Sequence, residues 1–318
     1  MKDKIENYLK ASQRGSEWLV SKQQGDGSIT KAEVYYKAPY ALGVTGRVPE
    51  AYKIIGWIRD NVLKDNGDLN HNTYKNSWMA QGIHRLARFD VSIPAIGYIL
   101  KAQAPCGGFC ANDDTSQIVE PIYTAWGGLC AIYVDHLDAA CKAGNCFIEM
   151  VRQQPDKLKF YYNMTADGKL LADSGFVDAT KPRQIYYNPG IAMIFLTRLY
   201  MATLDKKYLT TAQEIFEFTL RCADDAYQTP PSGKSGLGCA LLYHITGDTK
   251  ARDKALELAD YLVEIQHPDG AWGFSLNDPF ETLVDITAEF TVFTTEIAAT
   301  LVSSNQDYRQ SEKNFNHE

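Results

Sequence analysis

Asp285 and Glu289 stand four residues apart in the run "DITAEF". On a helix that spacing puts both carboxylates on one face, where each makes ionisation of the other harder and one can serve as acid beside a base. A second acidic group, Asp113-Asp114-Thr115, opens another helical run. A helix N-terminus carries about half a positive charge and favours the ionised form, so without desolvation Asp113 would be a base or a cap. Both groups suit plain helix capping equally well. Tyr186-Tyr187-Asn188-Pro189-Gly190 opens a third run, with Pro189 in a favourable first-turn position. Its tyrosine pair can hydrogen-bond a substrate oxygen or simply pack. Lys234, between Gly233 and Ser235, can hold a carboxylate or phosphate at a helix start, or stand solvated in a loop. His84, in "MAQGIHRLARF", can work as an acid or base near neutral pH, or sit satisfied in the core or at the surface. Asp113, Asp285, Glu289 and Tyr187 are the catalytic candidates. No HExxH, HxxxH or CxxC spacing, P-loop or dinucleotide fingerprint occurs, so neither a metal nor a cofactor is expected.

The elements that must position these groups are announced by a repeated phrase. In "WLVSKQQGDGSI", "YILKAQAPCGGF" and "YLVEIQHPDGAWGF" an aromatic residue lies five before a Gln, and a Gly four after it. A second echo matches Tyr200, Thr203 and Asp205 to Tyr243, Thr246 and Asp248. It reads as a helix that ends and restarts at once, with Gly247 in a left-handed turn and Asp248 capping the next helix. Apolar spacing at i, i+3 and i+4 predicts about twelve helices. The first six lie near 3–23, 32–45, 48–63, 73–88, 92–103 and 114–138. The rest lie near 145–153, 188–204, 206–222, 233–246, 250–266 and 284–303. Residues 157–176 alternate apolar and polar around Asp167-Gly168 and predict an inserted β-hairpin.

Twelve helices in six pairs predict an all-α (α/α)6 toroid, one domain over 1–303, with a flexible polar tail at 304–318. An open solenoid of the same pairs is the alternative. In a closed ring the second helix of each pair faces inward, and the inner N-termini share one rim. Tyr36, Tyr40, Asn76 and Trp78 fall at or near that rim, followed by Asp114 and Tyr123. Tyr186, Asn188 and Lys234 come next, with Trp272 as a wall of the same pocket. With His84, these are the expected substrate-binding residues.

The 318-residue chain carries a net charge of −7, which excludes a basic field for nucleic acid or anionic membranes. No long apolar run predicts a membrane span, and the charged N-terminus does not read as a signal peptide. Seven cysteines, odd in number and scattered, are expected to be reduced thiols in a cytoplasmic protein. The partner expected is a small molecule; the oligomeric state is not readable.

The Q-x-x-x-G-x-W/F element, with "QHPDGAWGF" and "QAPCGGF" nearest the pattern, resembles the repeats of the terpenoid cyclase and prenyltransferase α/α-toroid superfamily. "NDDTSQIVEPIYTAWGGLCAIY" and "DITAEFTVFTTEIAATL" are similar to its Asp-Thr helix openings. Against the Asp-x-Asp-Asp-Thr motif of squalene-hopene cyclases, Asp113 takes the place of the Asp that protonates an alkene, while Ala111 stands where the first Asp would. The resemblance implies a cofactor-independent cyclase or isomerase acting by acid–base catalysis on a terpenoid- or polyketide-like molecule. Sugar epimerases, polysaccharide lyases and glycoside hydrolases share such rings, so a carbohydrate-active enzyme is the first alternative and a non-catalytic binding scaffold the second.

Overall fold

Apolar stripes one helical turn apart become twelve α-helices among the residues that the computed structural model describes, 2–29, 34–275 and 277–304. They run as pairs: α1 (Lys2–Ser21) with α2 (Ala38–Val44), α3 (Val48–Asn61) with α4 (Thr73–Arg85), and α5 (Phe89–Ile99) with α6 (Pro121–Tyr133). Then come α7 (Leu137–Arg152) with α8 (Tyr187–Thr203), α9 (Lys206–Thr219) with α10 (Gly233–Thr246), and α11 (Thr249–Glu264) with α12 (Phe280–Ser303). The second helix of each pair packs on its counterparts in an unbroken circuit: α2, α4, α6, α8, α10, α12, and back to α2. The ring is therefore closed, an (α/α)6 toroid. Most residues of α8 and α10 are buried around the whole helix, as an inner position requires, whereas α7 and α11 bury one stripe each.

The repeated Gln-Gly phrase is the fastener between neighbouring pairs. Gln23 Nε2 donates to the Gly27 carbonyl (3.0 Å) and to the Glu50 carbonyl on α3 (2.9 Å). Gln103 Nε2 donates to Gly107 and to Ala139 on α7 (both 2.8 Å), and Gln266 Nε2 to Gly270 and to Ala11 on α1 (both 2.9 Å). The Gln266 contact joins the last outer helix to the first and so locks the circle. Gly107 has φ +93°, and a Cβ there would lie 2.4 Å from the Lys142 carbonyl oxygen, so the loop needs glycine twice over.

At the other end of the ring the inner helices turn straight into the next outer ones. Asp205 and Asp248 cap α9 and α11 by accepting from Lys207 N (3.1 Å) and Lys250 N (2.8 Å). Gly247 at φ 73° and Leu204 at φ 57° make the matching left-handed turns. Short turns close one face, and the longer outer-to-inner connections gather on the other.

Several predicted boundaries shift. Pro121 starts α6, because the Asp114 side chain draws the 114–117 backbone into its own turn by accepting from Ser116 N (3.2 Å). A left-handed Asp135 (φ 59°) then divides the predicted 114–138 helix from α7, which starts well before residue 145. α2 begins only at Ala38; part of the predicted 32–45 start lies outside the described residues. The hairpin is present, with β1 (Lys159–Tyr161) antiparallel to β2 (Phe176–Asp178), two residues beyond the predicted end. Of the predicted tail, 305–318 lie outside the described residues.

Candidate active site

Glu289 sits on α12 in the interior of the ring mouth, held by two lysines from opposite sides. Lys234, in the first turn of α10, donates to Glu289 Oε1 at 2.5 Å. Lys37, the residue before α2, donates to Glu289 Oε2 and lies 3.0 Å from Asp285 Oδ1. Both ammoniums are boxed by rings. Lys234 Nζ is 5.4–5.7 Å from the Tyr187, Phe293 and Tyr74 centroids, and Lys37 Nζ is 5.1 Å from Tyr36.

Burial pushes the Glu289 carboxyl up, but Lys234 and Lys37 outweigh it and hold the group down at about 2. Burial pulls Lys37 down, but the Asp285 and Glu289 charges raise it well above the ordinary lysine value. Lys234 is likewise raised, with Glu289 overcoming burial. Burial raises the phenols of Tyr36, Tyr74 and Tyr187. All three therefore stay neutral hydrogen-bonding groups.

Above this floor lies a cavity of about 260 Å³. Tyr36, Tyr74, Tyr187 and Phe290 supply ring faces, while Lys37, Lys234, Asp285 and Glu289 supply the charges. The side chain of Asp285 is 27% exposed, yet its Oδ1 is buried and has no hydrogen-bond donor among the described residues. Lys37 is close to it but off the hydrogen-bond axis. That oxygen is turned into the protein beside Lys37, and it is the exposed remainder of the Asp285 side chain that borders the cavity.

Of the residues expected at the rim, Tyr36, Tyr187, Lys234, Asp285 and Glu289 meet here, carried by the segment before α2 and by α8, α10 and α12. Tyr123 is half-buried in the first turn of α6, within electrostatic reach of Tyr187. The others stand elsewhere, each for a visible reason. Asp113 is exposed in the loop before α6, on the side of Tyr98 of α5. Asp114 spends its carboxylate on Ser116 and Gln117, whose hydrogen bonds lower its pKa. Asn76 binds Asp68 (3.1 Å) and the His71 carbonyl (3.0 Å), fixing a loop. Tyr186 donates to Asp225 (2.8 Å), and the Asn188 side chain is buried beside it in the chain with Oδ1 unbonded among the described residues.

Tyr40 points away from the mouth, its hydroxyl 3.4 Å from Glu296 and its ring 4.7 Å from the Arg85 guanidinium. Trp78 belongs to a plug that fills the middle of the ring, packed on Trp126 at 4.5 Å and near Tyr40 and Phe293. The pocket is therefore at the mouth, and its floor is charged. His84 pairs with Ser92 on α5 (3.0 Å), and burial lowers its pKa. Trp272 is fully buried and donates to the Leu262 carbonyl (2.7 Å), a packing residue of the repeat.

Tyr74 and Lys37 line the cavity without having been singled out as substrate-binding or catalytic candidates, and Glu120 lies near it. Tyr74 falls on the expected inner rim, beside Asn76 and Trp78 in the chain. Lys37 sits in "VYYKAPYAL", a lone charge in an aromatic run, the pattern of a lysine that must be paired if buried. Glu120 precedes α6 with no capping bond; burial raises its carboxyl, and its charge reaches Tyr123, Tyr162 and Tyr187. Among the described residues no group of three or more His, Cys, Asp or Glu is arranged to hold a metal, and no helix is long and apolar enough to cross a membrane.

No family model and no curated protein matches the chain. Solved structures do. A D-mannose isomerase is 12% identical, with a TM-score of 0.70, covering 96% of this chain and 98% of its own. The family 76 α-mannanase of Bacteroides thetaiotaomicron is 12% identical, with a TM-score of 0.66 and coverage of 91% and 95%. An inactive α-1,6-mannanase variant from Salegentibacter, with two consecutive aspartates replaced and α-1,6-mannotriose bound, is 13% identical, with a TM-score of 0.64 and coverage of 93% and 99%. Identities this low establish a shared toroid and nothing finer.

Proposed function

We propose that the chain is a carbohydrate-active enzyme that moves a proton on a sugar held in the mouth cavity, with Asp285 as the base. The observation that carries this reading is Asp285, a part-exposed carboxylate that borders the cavity with its inner oxygen 3.0 Å from the Lys37 ammonium. A sugar hydroxyl can donate to the exposed edge of that carboxylate, and the faces of Tyr36, Tyr74 and Tyr187 suit the C–H side of a pyranose. The names of the structural neighbours, a mannose isomerase and two mannanases, point the same way.

The floor also supplies electrostatics for the step. When Asp285 takes a proton it becomes neutral, and Lys37 loses one of its two anionic partners. Its ammonium is then available to the oxyanion forming on the sugar. Isomerisation or epimerisation through an enediolate has this charge pattern. The terpenoid cyclase reading fits less well: a hydrocarbon offers Asp285 no donor and strips water from a carboxylate.

Neutral aldoses incubated with the protein in D2O should exchange the proton at C2, and the matching 2-ketoses a proton at C1. Asp285→Asn should slow that exchange by about 10²–10⁴-fold while the circular dichroism spectrum is unchanged. Absence of exchange with every such sugar, or full activity of the variant, overturns the reading. Hydrolysis is the second reading, and Glu120 favours it: a carboxyl raised by burial across Tyr187 from Glu289 is a suitable proton donor to a leaving group. Release of reducing sugar from α-mannosides, abolished in Glu120→Gln, would select it.

A further inference from the structure

Resting on the carbohydrate reading, we infer that the cavity selects a single uncharged sugar ring and rejects the corresponding uronate. The argument is one of charge and size. Four ionised groups line the cavity: Lys37 and Lys234 against Asp285 and Glu289. They sum to zero, and neither ammonium is uncommitted, since Glu289 holds both and Asp285 lies against Lys37. A third lysine near the mouth, Lys75, stands 5.3 Å from the Tyr36 ring centroid and is also engaged.

A carboxylate entering this space finds no cation to pair with, and it meets the exposed edge of the Asp285 carboxylate. Two like charges at contact distance inside a wall of tyrosines repel far more than they would in water. A neutral ring brings only hydroxyls, which donate to Asp285 without disturbing the lysine pairs. The substrate becomes anionic only as Asp285 becomes neutral, so the total charge of the cavity is the same before and during the reaction.

Size sets the second limit. Sites for drug-sized ligands begin at about 300 Å³, and this cavity has about 260 Å³. Below it, Trp78, Trp126 and Phe293 fill the ring, so no second sugar fits deeper. The occupant is one ring, either a free monosaccharide or the terminal unit of a glycan whose remainder stays outside the mouth.

Titration calorimetry on the intact protein tests this with four probes: free hexoses, their methyl glycosides, the matching hexuronates, and a neutral trisaccharide. Neutral hexose or methyl glycoside should bind at least about tenfold more tightly than the uronate, and the trisaccharide no more than about threefold more tightly than its best monosaccharide. Free hexose bound better than methyl glycoside identifies the free sugar as the source; the reverse order identifies a glycan terminus. Asp285→Asn removes the repelling charge and leaves Lys37 a single partner, so the neutral-over-acidic preference should shrink or reverse. Glu289→Gln should act in the same direction, and Asp285→Asn carries the test if that variant does not fold. A uronate bound as tightly as the neutral sugar, a preference untouched by Asp285→Asn, or a trisaccharide bound more than tenfold tighter overturns the inference and leaves the carbohydrate reading standing. Binding of none of the four overturns both.

Discussion

Glu289 is a buried anion kept in place by two cations, and its stability contribution follows from that arrangement. Removing one member of such a set strands the others, at a cost of about 3–5 kcal/mol. Glu289→Gln should therefore lower the unfolding free energy by about that amount in urea titrations. The pH dependence has a definite sign. Because Lys234 and Lys37 hold the folded-state pKa at about 2, below the ordinary 4.5, the stabilisation is complete above about pH 4.5 and is lost as pH falls toward 2. Wild-type stability should decline over that interval, and Glu289→Gln should decline less steeply. Equal slopes would mean that the carboxyl is not held down by the lysines.

The helical pair is the next scale, and its joints are the Gln-Gly loops. Each Gln side chain ties the loop that follows its own outer helix to the next outer helix, near its start for Gln23 and Gln103 and midway along α1 for Gln266, by donating to two carbonyls. Gln103→Ala should cost about 1–3 kcal/mol, the penalty for leaving buried acceptors unpaired. Gly107→Ala should cost at least about 2 kcal/mol, because a side chain must adopt φ +93° and push against the Lys142 carbonyl. Thermal unfolding of both variants checks the ranking. A Gly107→Ala protein as stable as wild type would show that the loop can move aside.

For the whole molecule, closure matters most, since it brings residues from 36 to 290 to one mouth. A bound neutral sugar should slow amide exchange at once in the segments around Tyr36, Tyr74, Tyr187, Lys234 and Asp285. Protection confined to one segment would contradict a common mouth. The fold divides labour between its faces. Short left-handed turns after α8 and α10 leave no room for a site, whereas the long connections before α6 and α8 supply the hairpin and the Glu120 region.

The ring itself was legible along the chain, because periodic apolar stripes, a repeated Gln-Gly phrase and the Thr-x-Asp echo are local signals that need only a helix to express them. Asp285 and Glu289 were legible as a pair for the same reason: i, i+4 spacing is a property of one helix. Their roles were not. Two carboxylates on one face read as mutual repulsion and a raised pKa, and the structure reverses that sign by bringing Lys37 and Lys234 onto Glu289 from helices 252 and 55 residues away. Asp113-Asp114 looked the sharper motif, but a turn within the same loop consumed Asp114. Local spacing decides which side chains share a face. Which charges meet, and so which group is ionised and what it can bind, depends on long-range Coulomb partners that only the closed ring brings into contact.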